Sequence, residues 1–99
     1  MRHTGWNPDW LVGRIVNRRD TDKYDVSICR PGPWGNPFSV EDYGRERAIQ
    51  LYELHLRRRL DLIAALPELA GKILGCVCYP LPCHGSVLLR LLYEYHGIQ

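Results

Sequence analysis

The densest group of chemically versatile side chains is a cysteine cluster at residues 76–84 (CVCYPLPCH), where three cysteines and a histidine fall within nine positions. Thiols and imidazoles can act as nucleophiles, as general bases or as metal ligands. The same residue types also suit a buried strand that turns into a helix, because free cysteine behaves as a small hydrophobic side chain. The elements around the cysteine cluster decide between these roles.

The surrounding sequence predicts a buried strand followed by a helix. Residues 72–78 (KILGCVC) form an apolar run that is too short for a helix and typical of a buried strand. Residues 84–97 (HGSVLLRLLYEYHG) repeat apolar side chains at helical spacing and end at a glycine. The leucines of this helix could form a dimer face, but we expect them to pack against the sheet. Cys83 and His84 therefore fall where the strand gives way to the helix.

This junction suits an anion. The first turn of a helix presents unpaired N–H groups and a partial positive charge, which attract anions and lower the pKa of a thiol. Ligands also bind beyond the carboxyl ends of the strands in open α/β sheets. We therefore expect Cys83, His84, Gly85 and Ser86 to hold a phosphate or carboxylate, with Gly85 allowing close backbone approach.

Zinc is the alternative for the cysteine cluster. Its ligands would be Cys76, Cys78, Cys83 and His84, which are the right types for a tetrahedral site. The C-x-C-x4-C-H spacing lacks the usual C-x2-4-C knuckle, however, and neighbouring cysteine and histidine side chains rarely face one ion. We expect no metal and no cofactor, with Cys76 and Cys78 as core residues.

A second loop, the Trp loop at residues 30–38 (RPGPWGNPF), also follows a predicted strand. Its aromatic side chains could stack on a base, its arginine could pair with a phosphate, and its asparagine could bond a polar edge. The alternative is a rigid loop whose Trp34 fills the core. The ligand-binding residues predicted in and just after this loop are Arg30, Trp34, Gly35, Asn36, Phe38 and Arg45.

The remaining pattern completes a small α/β fold. Residues 11–19 and 24–29 are rich in β-branched residues and predict two strands. Apolar residues recur at helical spacing from about residue 43, and a second helical segment follows until the proline at 67. The order β-β-α-α-β-α predicts a single Rossmann-like domain over 1–99, a short sheet flanked by helices, with an irregular segment at 1–10.

Composition narrows the class of protein. The chain has 99 residues, 45% hydrophobic and 24% charged, with a net charge of +2. No apolar stretch reaches the roughly 20 residues of a membrane span, and no secretory signal is visible. We expect a cytoplasmic protein with reduced thiols and no membrane partner. The arginines at 57–59 indicate a solvated helix face, and we expect no specific nucleic-acid binding.

Three elements resemble the DUF4326 family of small bacterial and phage domains: RPGPWGNPF, ELAGKILGCVC and PCHG followed by VL, at matching order and spacing over about residues 12–93. The strand–CH–helix pattern is also similar to the DUF488 family, which supports the fold by analogy. The resemblance implies a fold and a site rather than a reaction. The chain departs from the family pattern at Cys29 (commonly Gly), Val77 (commonly Trp) and Ser86 (commonly Asp). If that Asp were a catalytic acid or base, its absence here would favour binding without turnover.

Three functions are consistent with these features. The first is binding of a nucleotide-type small ligand by a homo-oligomer, acting as a phage-encoded anti-defence sponge that sequesters a nucleotide-derived immune signal. The second is a hydrolase of nucleotides or nucleosides, with Cys83 as nucleophile and His84 as base, or with His84 acting beside Glu41 or Asp42. The third is a structural or interaction module, with or without zinc.

Overall fold

A computed structural model describes residues 14–78 and 81–98. Within them the elements follow the predicted order with one more helix than predicted, Val40–Tyr43. The predicted irregular segment at 1–10 lies outside the described residues. The elements are β1 (Ile15–Asn17), β2 (Val26–Ser27), α1 (Val40–Tyr43), α2 (Arg45–Arg58), α3 (Leu60–Ala65), a 3₁₀ turn (Leu66–Leu69), β3 (Leu74–Cys76) and α4 (Gly85–His96).

The sheet has three short parallel strands in the order β1-β3-β2. Leu74 in the central strand pairs with Ile15 on one side and Val26 on the other. Parallel strands require long crossovers, and α1 to α3 lie within the connection from β2 to β3. Because all three strands run the same way, the segments that follow them leave from one edge of the sheet. The domain is therefore a mixed α/β fold with its loops gathered at that edge.

The leucine-rich helix α4 packs into the core. Its first two turns are almost fully buried, whereas Tyr93 and Tyr95 near its end are exposed. This confirms the expectation that the leucines cover the sheet. The core side chains from the sheet and α4 are Ile15, Ile28, Leu74, Cys76, Val87, Leu88, Leu89, Leu91 and Leu92.

A network of ion pairs ties α2 to α4. Glu53 accepts hydrogen bonds from Arg90 (2.7 Å) and Arg57 (2.8 Å), and Arg57 also binds Glu94 (2.6 Å). The bond from Arg90 is the main reason that the pKa of Glu53 lies below its usual value, with Arg57 adding to it. Partly exposed pairs contribute only about 0–1 kcal/mol each, so the network orients two helices that the core already holds.

No helix among the described residues is both long and apolar enough to cross a membrane.

Gly75 in the central strand has no room for a side chain. A Cβ there would lie 2.7 Å from Cγ of Tyr24, which is closer than real Cβ contacts. It would also lie 3.0 Å from Cγ of Arg18, which is at the limit of such contacts. Gly75→Ala must displace an aromatic ring near its attachment point, and overpacking of this kind costs about 1–3 kcal/mol. We expect that decrease in the free energy of unfolding, measured by urea denaturation.

Gly32→Ala is the matched control, because its added methyl would meet only the carbonyl oxygen of Cys29 at 3.4 Å. We expect it to change stability by less than about 0.5 kcal/mol. Equal losses for Gly75→Ala and Gly32→Ala would contradict the close packing of Tyr24 and Arg18 over the strand.

Candidate functional site

A cavity of about 390 Å³ lies at the carboxyl edge of the sheet. It is lined by residues from the ends of all three strands, from the Trp loop, from α1 and α2, and from the segment before α4. The structure thus brings the Trp loop and the cysteine cluster together around one space. The lining residues are Arg18, Cys29, Arg30, Asn36, Phe38, Val40, Arg45, Ala48, Ile49, Cys76, Val77, Cys78, Pro82, Cys83 and His84.

The cavity is positively charged. Three arginines line it, Arg18, Arg30 and Arg45, and none of the described lining residues is a carboxylate. The Arg45 guanidinium donates to the carbonyl oxygen of Pro82 (3.1 Å), which joins α2 to the segment before α4. Nε of Arg18 donates to the hydroxyl of Tyr24 (3.1 Å). An anion would therefore find cations without a competing negative charge on the described walls.

Cys83 is a buried, protonated thiol. Its hydrogen bond with Cys76 and its burial raise its pKa well above the usual range, although the Gly85 N–H, 3.2 Å from its sulfur, acts in the opposite direction. The expectation that the helix terminus lowers this pKa is wrong, because desolvation and the neighbouring thiol outweigh one N–H. A thiol in this state is a poor nucleophile, since the thiolate is the reactive form.

His84 is a buried connector between α4, β2 and α2. Its Nε2 lies 2.7 Å from the carbonyl oxygen of Ile28, and its ring meets the Tyr52 ring edge-on at 4.8 Å. Burial lowers its pKa, against the opposing effect of the carbonyls of Ile28 and Trp34. The neutral ring must donate Nε2–H to Ile28, because a carbonyl can only accept. Neither Cys83 nor His84 is therefore poised as the nucleophile or base of a hydrolase.

The N–H groups at the first turn of α4, where the sequence predicts an anion site, have hydrogen-bond partners within the protein. The N–H of Gly85 donates to the Cys83 sulfur, that of Ser86 to the Cys83 carbonyl oxygen (3.2 Å), and that of Val87 to the His84 carbonyl oxygen (3.0 Å). The Ser86 hydroxyl also donates to the Cys83 carbonyl oxygen (2.9 Å). Because these donors are used locally and the residues are buried, the structure gives the predicted phosphate on this helix terminus no support.

Gly85 serves helix–sheet packing instead of ligand approach. A Cβ at this position would lie 2.9 Å from Cδ1 of Ile28 and 3.1 Å from Cδ1 of Ile15. The missing side chain lets the start of α4 sit directly on residues from the ends of the two outer strands.

Trp34 lies in the core and not in the cavity. Only 5% of it is exposed, and its carbonyl oxygen accepts a bond from the Tyr52 hydroxyl (2.9 Å). The prediction that it stacks on a ligand is therefore wrong, because the indole is buried in the hydrophobic core and does not line the cavity. Gly35, likewise, allows close contact within the Trp loop, where its Cβ would lie 2.8 Å from the backbone N and Cα of Arg30.

Asn36 and Phe38 do line the cavity, and both also brace the Trp loop. The Asn36 amide donates to the Ala48 carbonyl oxygen (3.2 Å) and accepts from the Phe38 N–H (2.9 Å). The Phe38 ring lies edge-on to Tyr43 and His55. The Trp loop is therefore fastened to α2 before any ligand arrives.

The zinc alternative is not favoured by the geometry. Within residues 14–78 and 81–98, no three or more His, Cys, Asp or Glu side chains form a group that could hold a metal ion. Cys76 and Cys83 are free thiols joined by a hydrogen bond. The Nε2 of His84 bonds to the carbonyl oxygen of Ile28. Glu41 and Asp42 lie exposed on α1 and do not line the cavity, so neither is placed to assist the buried imidazole.

Sequence reasoning missed seven lining residues, which are Arg18, Cys29, Val40, Ala48, Ile49, Val77 and Pro82. Arg18 follows β1 as Arg30 follows β2, and the common direction of the strands brings both to the same edge. That parallel pairing was the missing signal, because strand order does not follow from the local pattern.

The buried imidazole should make stability fall in acid. The unfolded chain binds a proton at His84 near pH 6.5, whereas the folded chain resists protonation, so the free energy of unfolding decreases as pH drops below about 6.5. The slope for one such group is at most about 1.4 kcal/mol per pH unit. In urea denaturation between pH 7 and 5, His84→Gln should lose stability less steeply than the parent protein. Parallel curves for the two proteins would show that His84 is not held neutral.

Comparison with known proteins places the chain in a family. The model of a domain of unknown function, DUF4326, matches residues 14–94. An uncharacterized 12.4 kDa protein from the nrdA-td intergenic region of Enterobacteria phage T4 is 37% identical over 83 residues, covering 80% of this chain and 76% of the phage protein. An uncharacterized protein of Acanthamoeba polyphaga mimivirus is 33% identical over 108 aligned positions, covering 94% of this chain and 78% of that protein. No solved structure matches significantly. The chain, with the Trp loop and cysteine cluster that frame its cavity, belongs to the DUF4326 family.

Proposed function

We propose that the cavity binds a small organic anion of nucleotide type. The observation that carries this proposal is the lining of the cavity of about 390 Å³, which combines three arginines with a wall of apolar side chains. The volume falls at the lower end of the range of about 300–1,000 Å³ that is usual for small-molecule sites. A ligand with one charged end and one flat, weakly polar end matches that composition.

The apolar wall suits the ring of such a ligand. Phe38, Val40, Ile49 and Val77 contribute it. The edge-on contacts of Phe38 with Tyr43 and His55, at centroid distances of 5.7 and 6.1 Å, hold its ring in place. A fixed aromatic side chain loses little entropy when a base packs on it, so the wall favours a planar group over a flexible chain.

The proposal is binding without turnover. Cys83 is a buried thiol with a raised pKa, and the Nε2 of His84 is bonded to the Ile28 carbonyl oxygen. No carboxylate stands among the described lining residues to act as an acid or base in their place. These contacts give the hydrolase alternative no support, and they explain why the cysteine cluster serves packing.

The biological role that we attach to this binding is sequestration of a nucleotide-derived immune signal in the cytoplasm of an infected host. Its support is indirect, from relatives in a bacteriophage and a giant virus. A cavity of this size suits a mononucleotide, whereas a cyclic dinucleotide would protrude and require a second subunit. The proposal therefore includes a homo-oligomer that binds the larger ligands between subunits. For the fold, we also propose that the short parallel sheet is related to Rossmann-like domains.

A cavity-filling variant tests the binding. Val40 lines the cavity and is 40% exposed, so Val40→Trp should occupy the ligand's volume without entering the core. Against a panel of nucleotides and cyclic dinucleotides in a thermal-shift assay, confirmed by calorimetry, we expect at least one ligand to stabilise the parent protein and to lose at least ten-fold in affinity for Val40→Trp.

Leu81→Trp is the matched control, because Leu81 is likewise an exposed aliphatic residue, at 55%, but does not line the cavity. It should bind the ligand as the parent protein does. If no nucleotide stabilises the protein, or if both tryptophan variants bind equally well, the cavity is not a nucleotide site.

A further inference from the structure

We infer that side-chain guanidinium groups hold the anionic part of the ligand, and that this part carries at least two negative charges, as a phosphate dianion or a diphosphate does. The inference deepens the proposed function and rests on the same cavity. It assigns the charge recognition to Arg18, Arg30 and Arg45.

The three arginines arrive from separate parts of the fold. Arg18 follows β1, Arg30 follows β2, and Arg45 is the first residue of α2. The Arg18 side chain crosses the central strand at Gly75, and its guanidinium bonds with Tyr24 and with Cys29, the residue before Arg30. Cations brought together by tertiary structure repel one another, and such repulsion is relieved by an anion bound among them.

These guanidiniums keep their charge available. The described ion pairs join Glu53, Asp61 and Glu94 to Arg57, Arg59 and Arg90, and within residues 14–78 and 81–98 no ion pair involves the cavity arginines. Arg18 and Arg45 are oriented by uncharged acceptors, the hydroxyl of Tyr24 and the carbonyl oxygen of Pro82. A hydrogen bond of this kind fixes the direction of a guanidinium without neutralising it.

The other candidate anion site, the first turn of α4, has its N–H groups bonded within the protein. The first N–H groups of α4 donate to the sulfur of Cys83 and to the carbonyl oxygens of Cys83 and His84. Arginine forks also match the geometry of phosphate oxygens better than a lysine would, since they can donate two parallel bonds. A ligand with two or more negative charges would balance the charge of more than one of the three guanidiniums.

The test is a ligand series in calorimetry with charge-removing variants. The probes are a nucleoside, its 5′-monophosphate, its 5′-diphosphate and inorganic pyrophosphate, using the base that binds best. Affinity should rise with the number of phosphates and fall with added salt. Arg30→Gln, Arg18→Gln and Arg45→Gln should each weaken the diphosphate roughly ten- to a hundred-fold, the usual loss for a charged hydrogen-bonding partner.

Two neighbouring arginines are matched controls. Arg19 follows Arg18, and Arg47 is two residues after Arg45. Both control arginines are exposed, and neither lines the cavity. Arg19→Gln and Arg47→Gln remove the same net charge and should leave the affinity within about two-fold of the parent. If Arg45→Gln fails to fold because it loses its bond to Pro82, Arg30→Gln decides, since Arg30 is exposed.

The outcomes separate the two proposals. A nucleoside that binds as tightly as its diphosphate, or cavity variants that behave like the controls, would overturn this inference while the nucleotide site stands. Arginine-dependent binding of pyrophosphate without binding of any nucleotide would support the inference and remove the nucleotide function. Failure of every probe to bind would overturn both.

Discussion

The buried hydrogen bond from His84 to the carbonyl oxygen of Ile28 joins residues 56 positions apart, at a distance of 2.7 Å. It connects the start of α4 to the segment between β2 and the Trp loop. A buried carbonyl and a buried imidazole would each be costly without a partner, so the pair ties helix placement to loop placement. The close contact of Gly85 with Ile28 and Ile15 depends on the same junction. This bond acts beside the Asn36–Ala48 and Tyr52–Trp34 bonds, which also hold the Trp loop.

Structural and functional roles are divided between residue types in an unusual way here. The residues with the most familiar catalytic chemistry, Cys83 and His84, are committed to holding the fold. The charge that a ligand would meet comes from arginines, which need no special pKa to act. The division follows from burial, because desolvation keeps a thiol and an imidazole neutral whereas arginine stays charged at any exposure found here.

The structure shows where the three departures from the family pattern, at positions 29, 77 and 86, lie in the fold. Cys29 and Val77, where the resemblance implies Gly and Trp, both line the cavity. Ser86 lies elsewhere, buried, with its hydroxyl bonded to the Cys83 carbonyl oxygen. An Asp at this position could not donate that bond when ionised, so the local arrangement must differ where Asp occurs.

The sequence by itself determined the mixed α/β class, the burial of the α4 leucines and the family. These depend on local periodicity and on glycine and proline positions, which act over a few residues. It also determined that the Trp loop and the cysteine cluster border one space, because both follow strands. Only the tertiary structure decided that β3 lies between β1 and β2, which brings Arg18 into the cavity. Only packing decided that Trp34, Gly85 and Ser86 face inward, since a side chain's environment is set by neighbours distant in sequence. The reversal of the expected Cys83 pKa has the same cause, because burial and the nearby Cys76 thiol exist only in the folded chain.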